Sequence, residues 1–180
     1  CAGKTGFPMV DACVRSLQGT GWLNFRMRAM IVSVACYSLW LDWRQINAWL
    51  ARQFTDYEPG IHLNQLQMQS GSTAMNALRI YNPVAQARKH DPTEAFMRQW
   101  LPELRDAPEG LLHHLGLPGQ KARDYGLDYP EPLVNHKHAE RFALRTLRAL
   151  RQQPESRRAS RRNHSQLGSR KNRGPQMRRR

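Results

Sequence analysis

One stretch constrains this chain more than any other. Residues 29–41 form a run of 13 mostly apolar residues, entered through Asn24, Arg26 and Arg28 and closed by Asp42 and Arg44. A membrane-spanning helix needs about 20 apolar residues, so this run is too short to cross a bilayer. It must be covered by the rest of the chain. A segment apolar on all sides reads as a helix packed by several neighbours. With 180 residues, one domain, with or without a tail, is the expectation. About 150 compact residues bury roughly two-thirds of their surface, enough to enclose such a helix.

The flanking sequence supplies the cover. Val10, Cys13, Val14 and Leu17 recur at i, i+3, i+4 and i+7, a helix opened by Pro8 and closed at Gly19-Thr20-Gly21. The central helix is predicted from about Asn24 to Trp43, and a third from about Gln45 to Phe54. Residues 55–72, with Pro59, Gly60, Gly71 and several glutamines, show little periodicity and read as an irregular, functional segment. Asp91 caps a helix over residues 94–100 that Pro102 stops. Residues 107–132 read as loop with short turns. Residues 136–150 make a last amphipathic helix with Phe142, Leu144, Leu147 and Leu150 as its apolar set. No strand pattern is found, so the fold class is all-α.

Charge divides the chain at residue 150. Residues 1–150 hold 17 Lys/Arg against 13 Asp/Glu, whereas 151–180 hold 11 against one, Glu155. The expectation is a helical domain over 1–150 and a disordered Arg-rich tail over 151–180. Such a tail suits non-specific contact with phosphate backbones. The three cysteines, Cys1, Cys13 and Cys36, include no Cys-x-x-Cys pair. That argues against a disulfide framework or zinc ribbon and for a reducing, cytoplasmic setting without membrane attachment. The first residue is cysteine rather than methionine, which reads as a piece of something longer.

Few residues suggest chemistry. Arg28 enters an apolar helix and needs an acid, which Asp56 or Glu58 would supply. Alone, such a pair reads equally as a tie between helices. Trp40, Trp43 and Trp49 cluster, as core packing or as a path for electron hopping. His113-His114 and His136/His138 lack the spacing and acid partners of a metal site. No nucleophile elbow, phosphate-binding glycine loop or acid–base pair is present.

The ordered motifs add a resemblance. Gly3-Lys-Thr-Gly-Phe-Pro-Met-Val-Asp-Ala-Cys-Val-Arg15 and Thr20-Gly-Trp-Leu-Asn-Phe-Arg-Met-Arg28 resemble two consecutive signatures of the photolyase/cryptochrome family. Leu41-Asp-Trp-Arg44, Arg79-Ile-Tyr-Asn-Pro83, Phe96-Met-Arg-Gln-Trp-Leu-Pro-Glu-Leu104 and Asp128-Tyr-Pro-Glu-Pro-Leu-Val134 follow in that family's order. The resemblance covers about residues 2–150 and implies the C-terminal part of a helical FAD-binding domain. Its implied activity is light-driven repair: reduced FAD passes an electron to a pyrimidine dimer flipped out of DNA, and the electron returns after the ring splits.

Carried over by position, the resemblance implies cofactor contacts at Asn24, Phe25, Arg28, Asp56, Tyr57 and Glu58. It implies DNA contacts at Arg26, Met68, Arg79 and Gln86, and electron transfer through Trp43. Three departures qualify it. Phe25 stands where the family has an asparagine facing the flavin. Leu66 and Met68 replace two tryptophans, and Asn76-Ala-Leu-Arg79 replaces a Pro-Tyr-Phe-Arg block. An α/β antenna domain and the first part of the FAD domain are absent from the sequence, so the expected partner is a missing N-terminal half and the isolated chain is expected to be an incomplete lyase. Two alternatives stand beside repair: a cryptochrome-type blue-light photoreceptor, and a non-catalytic helical DNA-binding remnant.

Overall fold

A computed structural model describes residues 2–73 and 78–167. Among them the only regular elements are helices and helical turns, as the periodicity predicts. Helix α1 (Pro8–Thr20) has Pro8 in its first turn and ends on Gly21, whose left-handed φ of 71° suits glycine. It is buried on nearly every side and packs against α2 (Phe25–Ser33), α5 (Pro83–His90) and α6 (Ala95–Trp100). Leu17, Met30, Leu66, Met97, Leu101, Leu104 and Leu112 form the most deeply buried part of the core.

The central helix ends earlier than its composition suggests. After Ser33 the backbone widens into a π-turn over Val34–Ser38, with Leu39 N bonded to Val34 O at 2.9 Å. Trp40 then adopts φ 55°, and Asp42 caps α3 (Trp43–Gln53) by accepting from Arg44 N at 2.9 Å. Trp40 therefore lies in the link before α3, and Trp43 is the first residue of that helix. A run apolar on every side has no periodicity with which to announce its end. The capping aspartate was the available signal.

Residues 55–72, expected to be irregular, contain helix α4 (Pro59–Gln69). Glu58 Oε2 accepts from Ile61 N at 2.6 Å and Pro59 occupies the first turn, a start signal outweighed in the sequence reading by the glutamines. Helix α7 (His136–Gln152) follows its predicted start, capped by Asn135. Ala143 is its buried apolar centre. Phe142 and Leu150 are each 45 % exposed, so the predicted apolar set is only partly inward. Residues 151–167, expected without regular structure, complete α7 and form α8 (Pro154–Leu167). Pro154 and Glu155 suit a first turn, and arginine is a good helix former. The rest of the tail, 168–180, and residues 74–77, with Asn76 of the departing block, lie outside the described residues.

Two buried carboxylates fasten the loops to this frame. Asp11 accepts from Thr5 N (2.7 Å), Thr5 Oγ1 (2.8 Å), Gly6 N (3.1 Å) and the Tyr129 hydroxyl. It thereby ties the first signature motif to the last one before α7. Burial nonetheless pushes its carboxyl above the usual range. Gly6 fits beneath residues 131–132 only because it lacks a Cβ. Glu94 accepts from Arg98 at 2.6 Å and from the amides of Gly110 and His113, both at 3.2 Å. Cys13 and Cys36 are buried thiols. Burial raises both, Cys36 to about 12, so neither is a nucleophile.

Candidate functional site

The residues opening α2 build the principal cleft. Asn24 Oδ1 accepts from Met27 N at 3.0 Å and caps the helix. That cap sets Phe25 in the first turn and Arg28 one turn later. Arg28 Nε donates to Leu23 O at 2.6 Å, which fixes the side chain at its stem. Its Nη1 and Nη2 donate to Asp56 Oδ1 and Oδ2 at 3.0 and 2.8 Å, a bidentate pair. The guanidinium lies 4.2 Å over the Phe54 ring. Arg28 holds the Asp56 carboxyl below the ordinary range. The Arg28 and Asp56 side chains are 25 % and 50 % exposed, so the pair sits at a rim rather than in the core.

The loop bearing Asp56 is fastened from below. Thr55 N and Oγ1 both donate to Gly21 O, at 3.0 and 3.2 Å. The C-cap of α1 thus sets the height of Asp56. Beyond it, Tyr57 and the Glu58 cap lead into α4.

Between α2, α3 and α4 lies a cleft of about 180 Å³. Val32, Leu50 and Leu66 give it an apolar floor. Phe25, Tyr57 and Ile61 form an exposed aromatic and aliphatic lip. Gln65 lines the cleft, and its buried Oε1 has no hydrogen-bond partner. His62 meets Tyr57 edge-on at 5.2 Å and lies 3.1 Å from Asn47 Oδ1. Burial lowers its pKa, which keeps the ring neutral at neutral pH. The cleft offers no nucleophile paired with a base. An apolar floor, an orphan acceptor and an acidic rim fit a planar heteroaromatic group that brings its own N–H donors. No cluster of potential metal ligands occurs among the described residues.

Of the residues singled out in sequence, Phe25, Arg28, Asp56, Tyr57 and Glu58 share this cleft. Asn24 and Glu58 spend side-chain oxygens on helix caps. Arg26 is exposed beside Phe25. Trp43 lies in a separate groove with Trp40, under the Arg44 guanidinium at 4.8 Å, and does not line the cleft. Met68, half-buried on α4, is not among the cleft residues. Arg79 is exposed in a link that Ser33 Oγ holds by bonding Arg79 O and Tyr81 N. Gln86 is half-buried on α5. Sequence reasoning missed Leu50, Ile61, His62, Gln65 and Gln69. Residues 61, 62, 65, 66 and 69 do recur at helical spacing, but their mixed polarity hid it.

The model of a protein family, the FAD-binding domain of DNA photolyase, matches residues 1–149. The deoxyribodipyrimidine photo-lyase of Escherichia coli K12 is 39% identical over 151 residues, covering 83% of this chain and 32% of that protein. The cryptochrome DASH of Synechocystis is 33% identical over 140 residues, covering 74% and 29%. The crystal structure of the archaeal photolyase from Sulfolobus tokodaii, described with two FAD molecules, superposes with a TM-score of 0.74 at 28% identity, covering 82% of this chain and 33% of that one. A class III photolyase from Agrobacterium tumefaciens gives 0.74 at 30% identity, covering 84% and 33%. The chain thus spans about a third of the length of the curated relatives it matches.

Proposed function

Since the chain belongs to the family of the FAD-binding domain of DNA photolyase, we propose that its cleft forms one wall of a flavin site in a photolyase-type DNA-repair protein. The observation that carries this reading is the bidentate Arg28–Asp56 pair at the rim, with the unpartnered Gln65 Oε1 inside. When bound and reduced, FAD supplies the light-driven electron that splits a pyrimidine dimer in DNA. The chain's own residues do the rest. Val32, Leu50 and Leu66 keep water from one face of the ring system. Gln65 accepts a hydrogen bond from its polar edge. Arg28 holds Asp56 ionised, and Phe25 and Tyr57 shape the entrance.

The cleft is smaller than the roughly 300–1,000 Å³ that enclose a drug-sized ligand. The remainder of the dinucleotide is therefore held by surface outside these residues, which a further protein segment provides. Exposed Arg26 and Arg79 are the phosphate contacts that position DNA, with Gln86 and Met68 as additional DNA-facing residues. Trp43, outside the cleft, is a relay in electron transfer. No helix of the described residues is long and apolar enough to cross a membrane; buried reduced thiols support a cytoplasmic location. A second reading, a cryptochrome-type photoreceptor, draws on Met68 in place of the family's pocket tryptophan and on the divergent basic tail.

The test is a titration of FAD with the purified chain, read as quenching of flavin fluorescence. Saturable quenching that weakens at least tenfold on Gln65→Leu or Asp56→Ala supports the reading. Quenching that stays absent when the missing part of the domain is supplied, or that is untouched by both substitutions, refutes it. Repair of a dimer-containing oligonucleotide under blue light, in the presence of the missing part of the domain, separates lyase from photoreceptor.

A further inference from the structure

The excess positive charge begins in a folded helix. Residues 1–135 hold 13 Lys/Arg against 12 Asp/Glu, close to neutrality, whereas residues 136–150 hold four against one. Those four are Lys137, Arg141, Arg145 and Arg148, all exposed on α7. Their spacing of four, four and three residues places them within about 80° of one another around the helix, a single stripe. The opposite face is the one that packs: His136 and Ala143 are buried, and α7 lies against the π-turn. Phe142 meets Trp40 with ring centroids 4.9 Å apart, which also anchors the helix. Helix α8, packed on α7, adds exposed Arg157, Arg158, Arg161 and Arg162.

None of these eight cations has an ion pair among the described residues, although Arg15, Arg28, Arg44, Arg98, Lys121 and Arg123 all do. Like charges at i,i+4 oppose the helix that carries them, so a stripe of four has no structural benefit to α7. No residue of the stripe lines the flavin cleft.

We propose that this stripe is a second nucleic-acid surface, which docks duplex DNA through its phosphate backbone independently of damage and of flavin. From Lys137 to Arg148 the helix rises about 16 Å. Over that length one DNA strand presents about five phosphates, a match in both sign and reach. The stripe is an exposed, single-sign row of cations matched in reach to the phosphate repeat, which is the same for every base sequence, so the contact is made to the backbone. An anionic membrane would require an exposed apolar face beside the basic one. Of the large apolar residues on α7 only Phe142 and Leu150 are half exposed, and Phe142 meets Trp40 edge-on, so no continuous apolar face lies beside the stripe.

The experiment uses the full 180-residue chain and a short undamaged duplex, read by fluorescence anisotropy across a salt series without FAD. Neutralising the stripe (Lys137, Arg141, Arg145 and Arg148 each to Gln) removes up to four phosphate contacts. The slope of log affinity against log salt should become shallower by about 2–4 units, at about 0.9 per phosphate. Affinity at low salt should fall by at least tenfold. A variant with the three arginines as lysine keeps the charge and should retain the slope. Circular dichroism of the Gln variant should show an unchanged fold, since every replaced side chain is exposed. Three results would overturn the proposal: no binding of the duplex by the parent chain at low salt, an unchanged slope in the Gln variant, or, in a parallel sedimentation with phosphatidylserine vesicles, a loss of binding on the Gln substitutions that the duplex does not show. Because the assay contains neither flavin nor lesion, its outcome is separate from that of the flavin reading.

Discussion

Gly21 is the hinge pin between fold and cleft, and replacing it with alanine tests whether the two are coupled. Alanine at φ 71° incurs about 1–2 kcal/mol of left-handed strain. Its new Cβ would press into the Thr55 Cγ2 methyl and stand 3.2 Å from Gln53 O. Turning Thr55 away relieves the methyl contact but breaks the Oγ1 bond to Gly21 O, at about 1 kcal/mol. The sum is a destabilisation of about 2–3 kcal/mol, measured by urea unfolding followed by circular dichroism. Thr55→Ser keeps the hydroxyl and removes the methyl, so in the Gly21→Ala background it should return about 1 kcal/mol. The same loop carries Asp56. Its carboxyl, followed by NMR titration, should move back toward the ordinary value in Gly21→Ala as the Arg28 bonds loosen. A destabilisation under about 0.5 kcal/mol, the level of an unremarkable surface change, would refute the coupling. So would an absence of rescue by Thr55→Ser.

Other perturbations follow from the same geometry. Asp56→Asn should cost no more than about 1 kcal/mol at neutral pH, since the pair is half exposed. Arg28 lowers the Asp56 pKa from 3.8, so that contribution is present above 3.8 and is lost as pH falls through the lowered value. Parent and variant stabilities should therefore converge in acid. Asp11→Ala strands the buried amides of Thr5 and Gly6 and the Tyr129 hydroxyl, and should lower stability by about 3–5 kcal/mol, seen as a large drop in melting temperature. His62 has its pKa lowered from 6.5 by burial. The unfolded chain takes up that proton first, so stability should decline as pH falls from 6.5 through the lowered value. His62→Gln should flatten that part of the stability–pH profile.

How much of this was legible in sequence depends on what each residue does. The helices α1 and α7 declare their existence through an apolar repeat, although α1 is buried on nearly every side and Phe142 and Leu150 of the repeat in α7 are exposed. Asp91, which accepts from Phe96 N and Met97 N, follows from a capping pattern, whereas Glu94, expected inside the helix, stands just before it at φ 59°. The Arg28–Asp56 pair was inferable because an arginine entering an apolar helix demands a partner. Helix α4 was not legible, because the face it turns to the cleft carries Gln65 and Gln69 among apolar residues. A helix lining a binding site looks irregular to a hydrophobicity pattern. The π-turn was hidden for the opposite reason, a run apolar on every side. The basic stripe was divided by a boundary at residue 150 that assigned the charge to the tail, whereas four of the cations stand on a folded helix. Trp43, assigned to electron transfer by resemblance alone, lies in a groove with Trp40 outside the cleft, a placement that hydrophobic periodicity does not record.

The most direct test is heteronuclear NMR of the labelled 180-residue chain during addition of FAD. The account predicts saturable shifts clustered at Phe25, Arg28, Asp56, Tyr57, Glu58 and along α4 from Ile61 to Leu66, with Gln65 side-chain amide signals among them. Because FAD carries two phosphates, it also has reason to visit the arginines of α7 and α8. Shifts confined to Lys137, Arg141, Arg145, Arg148 and α8, with the cleft silent, would contradict the assignment of the cleft to the flavin.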